Sequence, residues 1–218
     1  DKTNFIAMDP DTSNKETLIK YVQGITAGGG TPIATAYNTA GKKFTSQSGS
    51  SNTSQECTGN GLYFLTDGEP QGDNNYSIDY DGITKINTKA LGDSKTDYWG
   101  KIGGYAQSLL SSKYKVKTAT VGFGGGYYLT AAQKLKANIT NGTKKYFDCT
   151  LVDTSDSDHR NYCQWGAKTI PSRIDVGGFG EGGFYTAQSA GDLVTSLKSF
   201  ITETTVPIEG STIGSSTI

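Results

Sequence analysis

The chain has 218 residues, the length of one domain with a sizeable core. Its 20 basic and 21 acidic residues leave a formal charge of -1, too balanced for a general polyanion binder, so nucleic acid is not an expected partner. No apolar run approaches the roughly 18 residues of a bilayer span, and no basic-then-apolar stretch opens the chain, which implies a soluble chain with any targeting signal outside it.

The first expected helix opens at Ser13 with Glu16 three residues on, a capping box, and sets Leu18, Ile19, Val22 and Ile25 on one stripe. It stops at the glycines 28–30. A second helix has Thr31 as N-cap and Pro32 at its first position, then Ile33, Tyr37, Ala40 and Phe44 at spacings of four, three and four. A third, over residues 98–111, aligns Tyr98, Ile102, Tyr105 and Leu109, and a short fourth follows near 130–137. The last is capped by Ser189 with Asp192 three residues later, and its spacing predicts burial of Leu193, Val194, Leu197, Phe200 and Ile201.

Strands are expected at residues 4–8, 62–65 and 116–123, with weaker ones at 145–149 and 183–186. The run LYFL at 62–65 is apolar on both faces, which suits the centre of a parallel sheet. Strands alternating with helices argue for an α/β fold, an open and mostly parallel sheet flanked by helices, with ligands at the carboxyl ends of its strands. Residues 45–60 and 71–94 are polar and rich in Gly, Asn and Ser, and read as surface insertions. Residues 206–218 lose helical periodicity and read as a linker.

Composition leans toward a secreted or surface protein: 29 Gly, 13 Tyr and only 19% charged residues. The single histidine, His159, stands in the polar run DTSDSDHRNYC, which argues against a histidine-based triad or a multi-histidine metal site. Two other stretches fall where an α/β sheet places ligands. One is GGGTPIATA, residues 28–36, and the other GLYFLTDGEP, residues 61–70. The Thr31 hydroxyl and the Asp67 carboxylate are oxygen donors of the kind that suit Mg²⁺, Mn²⁺ or Ca²⁺, with water completing the shell. Glu69 and Asp73 follow on the same loop. A hydrolase pairing Asp67 with Glu69 or Asp79 has no further support, because no GxSxG elbow is present; the chain is not expected to be an enzyme.

At these residues the chain resembles a von Willebrand factor type A domain, whose metal-ion-dependent adhesion site uses a DxSxS motif after the first strand, then a Thr, then an Asp. Thr31 matches the threonine and Asp67 the second aspartate. Of DxSxS, Asp11-Thr12-Ser13 offers only D-x-S and reads as a capping segment. Asp153-Thr154-Ser155-Asp156-Ser157 spells the motif but lies late in the chain, as a solvated loop between two cysteines. The resemblance therefore implies a domain over residues 1–205 that lacks its first strand and DxSxS, with the ion held weakly or not at all.

Cys149 and Cys163 bracket a polar loop of 13 residues, and closing it would stabilise the fold by roughly 3 kcal/mol. That bridge is expected. Cys57 is then left with a partner upstream or as a free thiol; three buried thiols are the alternative.

Further stretches, YFDC at 146–149, YCQWG at 162–166 and GEGGFYTAQSAGDLVTSLKSFI at 180–201, make the chain similar to the type A domain of the PilC/PilY family of bacterial type IV pilus tip proteins. That similarity implies an extracellular adhesion module at the pilus tip, supporting attachment and pilus assembly. Implied partners are a host-cell or surface ligand, minor pilins or other tip subunits, and a C-terminal propeller joined through residues 206–218. The alternative within the family is a structural tip domain whose metal site is vestigial.

Overall fold

The structure, a computed structural model, describes residues 12–26, 33–47, 59–66, 98–124, 127–152, 157–172 and 178–205. The expected strand at 4–8, most of the insertions and the tail 206–218 lie outside them. The chain divides into two compact units, Asp1–Gly30 and Thr31–Ile218. In the first, helix α1 covers Thr12–Gln23 and begins one residue before Ser13. The Gly24 N–H closes it, donating to Lys20 O and Tyr21 O at 3.1 Å each. Ile19, Val22 and Ile25 of its apolar stripe are exposed.

The second unit runs α2 (Ile33–Gln47), β1 (Gly61–Thr66), α3 (Tyr98–Ser111), β2 (Lys117–Phe123), α4 (Ala131–Ala137), β3 (Asn138–Asn141), β4 (Lys144–Phe147), α5 (Ser157–Gly166), β5 (Glu181–Ala187) and α6 (Ala190–Thr204). Strands β1, β2 and β5 form a parallel sheet in the order β1-β2-β5. Among the described strands, β2 rather than β1 is therefore central. Its middle five residues are all buried, whereas the LYFL residues of β1 are half-buried or exposed. Apolar character on both faces marks a strand for a parallel sheet, but does not say where in the order it stands.

Side chains alternate across the sheet. On one face Tyr63 of β1 places its hydroxyl 2.7 Å from Ser196 Oγ of α6. On the other, Tyr37 of α2 meets Thr118 Oγ1 at 2.6 Å, and Thr120 Oγ1 donates to Tyr162 O of α5 at 3.0 Å. Helices α2, α3 and α5 thus share one core with that face. Tyr37 is its centre, edge-on to Phe64, Tyr105 and Trp165 with centroids 5.3, 5.3 and 4.6 Å away. Edge-to-face contacts add roughly 0.5–1.5 kcal/mol each beyond burial. Between Thr118 and Ala119 the register with β5 slips by a bulge; Gly183, at φ 107°, takes a conformation closed to most side chains.

Four local expectations change. The segment at 145–149 is half of an antiparallel hairpin, β3 with β4, outside the main sheet. The polar run after Asp156 is not a loop: Ser157–Gly166 is helical, because Tyr162, Cys163 and Trp165, all fully buried, give it a core face. Helix α6 buries Ser196 and Phe200, while Val194, Leu197 and Ile201 are exposed. Among the described residues of this unit, α6 is the helix packed on the Tyr63 face of the sheet, and Phe200 and Ser196 are the side chains it turns fully to the sheet. His159, read as a polar loop residue, sits on α5 and is 7% exposed.

Cys149, in a short 3-10 turn at Cys149–Leu151, and Cys163 on α5 are joined as a disulfide, with Cα atoms 5.7 Å apart and both residues fully buried.

Candidate functional site

The carboxyl edge of the sheet is where β1 ends at Thr66, β2 at Phe123 and β5 at Ala187. Helix α5 begins at the same edge. Its Tyr162 hydroxyl donates to Phe64 O at 3.1 Å and Val121 O at 3.2 Å, near the carboxyl ends of two strands. Its last turn lies at the other edge, where Trp165 O accepts from Gly180 N at 2.8 Å. Helix α3 starts beside it, Trp99 Nε1 donating to Asp158 Oδ1 at 2.8 Å, and ends near the start of β2, where Val116 N donates to Leu109 O. Helix α6 follows β5 directly. Its cap is reciprocal, Asp192 N donating to Ser189 Oγ at 3.2 Å and Ser189 N to Asp192 Oδ2 at 3.0 Å. The exposed Asp192 carboxyl is held below its usual range by the Gln188 N–H first, then by the Ser189 hydroxyl and N–H, with Lys134 last.

The floor of this edge is aromatic. Tyr127 packs against Gly122, where a Cβ would enter its ring, and donates its N–H to Gly124 O at 3.3 Å. The His159 ring meets it edge-on at 4.5 Å, and Tyr162 lies 5.4 Å from it. Burial drives the Tyr162 hydroxyl well above the ordinary tyrosine range, so it stays a neutral donor and pins α5 to the strand ends. Gln188, just past β5, reaches across to Gly124 O at 3.3 Å. A signal for this floor was present in the sequence: His159, Tyr162 and Trp165 recur every third residue, the spacing of one helical face.

Both sequence-derived metal ligands, Thr31 and Asp67, lie outside the described residues, as do Asp153, Ser155, Cys57, Glu69 and Asp73. The described residues next to the two ligands are Ile33, which opens α2 and is 4% exposed, and Thr66, which ends β1 and is 6% exposed. Hydroxyl and carboxylate oxygens fit a hard cation, but two donors cover only part of a shell of about six. Among the described residues no three His, Cys, Asp or Glu come together as a metal cage. What the described edge offers is a rigid aromatic floor bounded by the ends of three strands and the starts of three helices, the position at which parallel α/β sheets bind ligands. Among the described residues no helix is long and apolar enough to cross a membrane. No protein-family model, curated protein or solved structure matches the chain.

Proposed function

We propose that this chain is a von Willebrand A-like adhesion module of the PilC/PilY kind, an extracellular binding domain at the tip of a type IV pilus that supports attachment and pilus assembly. The observation that carries the reading is the three-stranded parallel sheet whose first strand ends at Thr66, immediately before Asp67. Asp67 follows the edge at which β2 and β5 also stop and α3, α5 and α6 begin. In this reading Thr31 and Asp67 are ligands, direct or through water, of a Mg²⁺, Mn²⁺ or Ca²⁺ ion. The ion supplies a concentrated positive charge with an open position for an acidic group of the surface ligand. The chain's own contribution is to hold that edge still. Tyr162 ties α5 to β1 and β2, and Gln188 ties the end of β5 to that of β2.

Asp67→Ala in the intact tip protein tests this. Attachment to host cells or surfaces is expected to fall while pili still assemble and the melting temperature of the domain is kept. Mn²⁺ titration of the same variant is expected to lose the saturable signal of the wild type. Attachment equal to wild type overturns the adhesive role of the site and leaves a structural tip domain with a vestigial metal position.

A further inference from the structure

Net charge conceals a strong segregation along the chain. Between Asp97 and Asp148 there are eight lysines and no acid, so with -1 overall the remaining residues carry -9. Three of the eight, Lys113, Lys115 and Lys117, flank the start of β2, where Lys117 Nζ donates to Glu203 O and Lys113 lies over the Tyr114 ring. Four others, Lys134, Lys136, Lys144 and Lys145, belong to α4 and the hairpin that continues from it. Lys136, Lys144 and Lys145 are exposed and have no ion-pair partner among the described residues; Lys134 is half-buried and acts on Asp192.

The same short helix carries Leu135, 80% exposed, the most exposed large apolar side chain among the described residues. With Ala131 and Ala132, both exposed, Leu135 forms the outer arc of α4, one turn apart at spacings of four and three. Lys134 and Lys136 stand about 100° to either side of it. Tyr128, 60% exposed, precedes the Thr130 cap. The helix does not owe its formation to this face. Thr130 Oγ1 accepts from Gln133 N at 3.2 Å, Gln133 Oε1 accepts from Thr130 N at 2.9 Å, and Ala137 is the residue it buries.

We propose that α4 and the β3–β4 hairpin form a contact surface for an anionic lipid bilayer. Leu135 enters the headgroup boundary, the exposed Lys136 stands next to it in the helix, and the hairpin lysines add positive charge toward the lipid phosphates. The choice of occupant rests on Leu135. A polyanion in water is bound by the lysines alone, whereas an exposed apolar side chain with the exposed Lys136 next to it and two more exposed lysines on the adjoining hairpin matches the layering of a bilayer surface, apolar below and anionic above. The exposed stripe Val194, Leu197 and Ile201 on α6 has only Lys198 within it, and enters the test as a control. The proposal does not depend on the metal reading.

The test is sedimentation of the 218-residue chain with phosphatidylcholine vesicles, with and without phosphatidylglycerol, in the presence of EDTA. Binding is expected only to the anionic vesicles and is expected to weaken as salt rises. The triple variant Lys136→Gln, Lys144→Gln, Lys145→Gln loses about fivefold per lysine, roughly 100-fold in all. Leu135→Ser loses about tenfold, and Leu197→Ser is unchanged. Leu135→Trp binds as the parent does, and its fluorescence shifts to the blue on anionic vesicles. Circular dichroism keeps all variants comparable, since each site is exposed. Equal binding to neutral and anionic vesicles, full binding by the triple variant, an unshifted Leu135→Trp spectrum, or capture by a sulfated polysaccharide with no vesicle binding would each overturn the proposal.

Discussion

The Tyr37–Thr118 pair offers a sharp test of how the core is held. Both residues are fully buried, and their hydroxyl oxygens are 2.6 Å apart, joining α2 to the central strand. Tyr37→Phe keeps the ring and its 4.6 Å contact with Trp165 and removes only the oxygen. The Thr118 hydroxyl is then left dry without its partner, which costs about 2 kcal/mol. Thr118→Val strands the Tyr37 hydroxyl at a similar cost. In the double variant neither orphan remains, and the loss is expected to be about 1–2 kcal/mol rather than the sum of about 4. In a chain of this size about 2 kcal/mol corresponds to roughly 4–8 °C in Tm. Urea unfolding followed by fluorescence of Trp99 and Trp165 measures all four proteins, with unchanged denaturant slopes expected. Single costs that simply add, or a Tyr37→Phe variant within about 0.5 kcal/mol of wild type, would refute the claim that the pair acts as one buried unit.

Replacing Cys149 and Cys163 together by Ala is expected to lower stability by about 3 kcal/mol for a loop of sequence separation 14, and in the native protein both thiols should resist alkylation after mild reduction because both residues are fully buried. Alkaline titration reads the buried tyrosines: burial raises the hydroxyls of Tyr37, Tyr63, Tyr162 and Tyr185, and that of Tyr105 to about 12, from an ordinary 10.0. A raised folded value means that this stabilisation is complete below about pH 10 and lost as pH rises through the folded values. Tyrosinate absorbance of the fully buried Tyr37 and Tyr162 is expected to appear only with loss of the helical circular dichroism signal; smooth titration of all tyrosines in a folded chain would contradict it. At the acid end Asp192 has the opposite sign, its carboxyl being lowered from 3.8, so its support of the α6 cap is present above that value and lost as pH falls through the folded one. Ser189→Ala, which removes the other half of the cap, should cost about 1 kcal/mol at neutral pH by thermal melting, and Asp192→Asn should flatten the acid dependence of α6 helicity.

The adhesion proposal and the lipid-contact proposal rest on different residues. One concerns the carboxyl edge of the sheet and turns on Asp67, the other concerns α4 and the hairpin and turns on Leu135. Charge explains why the second was invisible in composition. A sum of -1 treats the chain as a bag of charges, while the order of residues places four lysines within 134–145 and no acid between Asp97 and Asp148.

Features decided within a few residues were legible from the amino acids alone. Ser189 and Asp192 meet as a capping box because both partners lie within one turn of backbone, and the third helix follows from Ile102, Tyr105 and Leu109, all buried as their spacing implies. The α/β class was legible for the same reason, since strand and helix periods alternate along the chain. What needed the tertiary structure was the identity of each face's partner. Periodicity marked Val194, Leu197 and Ile201 as a stripe, but only the packing of α6 on the sheet shows that Phe200 is covered and those three are not. The polar start of α5 hid a helix, which is made worthwhile by Tyr162 and Trp165 reaching residues some 40 to 130 positions away in sequence. Local hydrogen bonds are available to a segment before it meets the rest of the chain; burial is not, because the apolar surface removed from water belongs to both partners and exists only once the topology has brought them together.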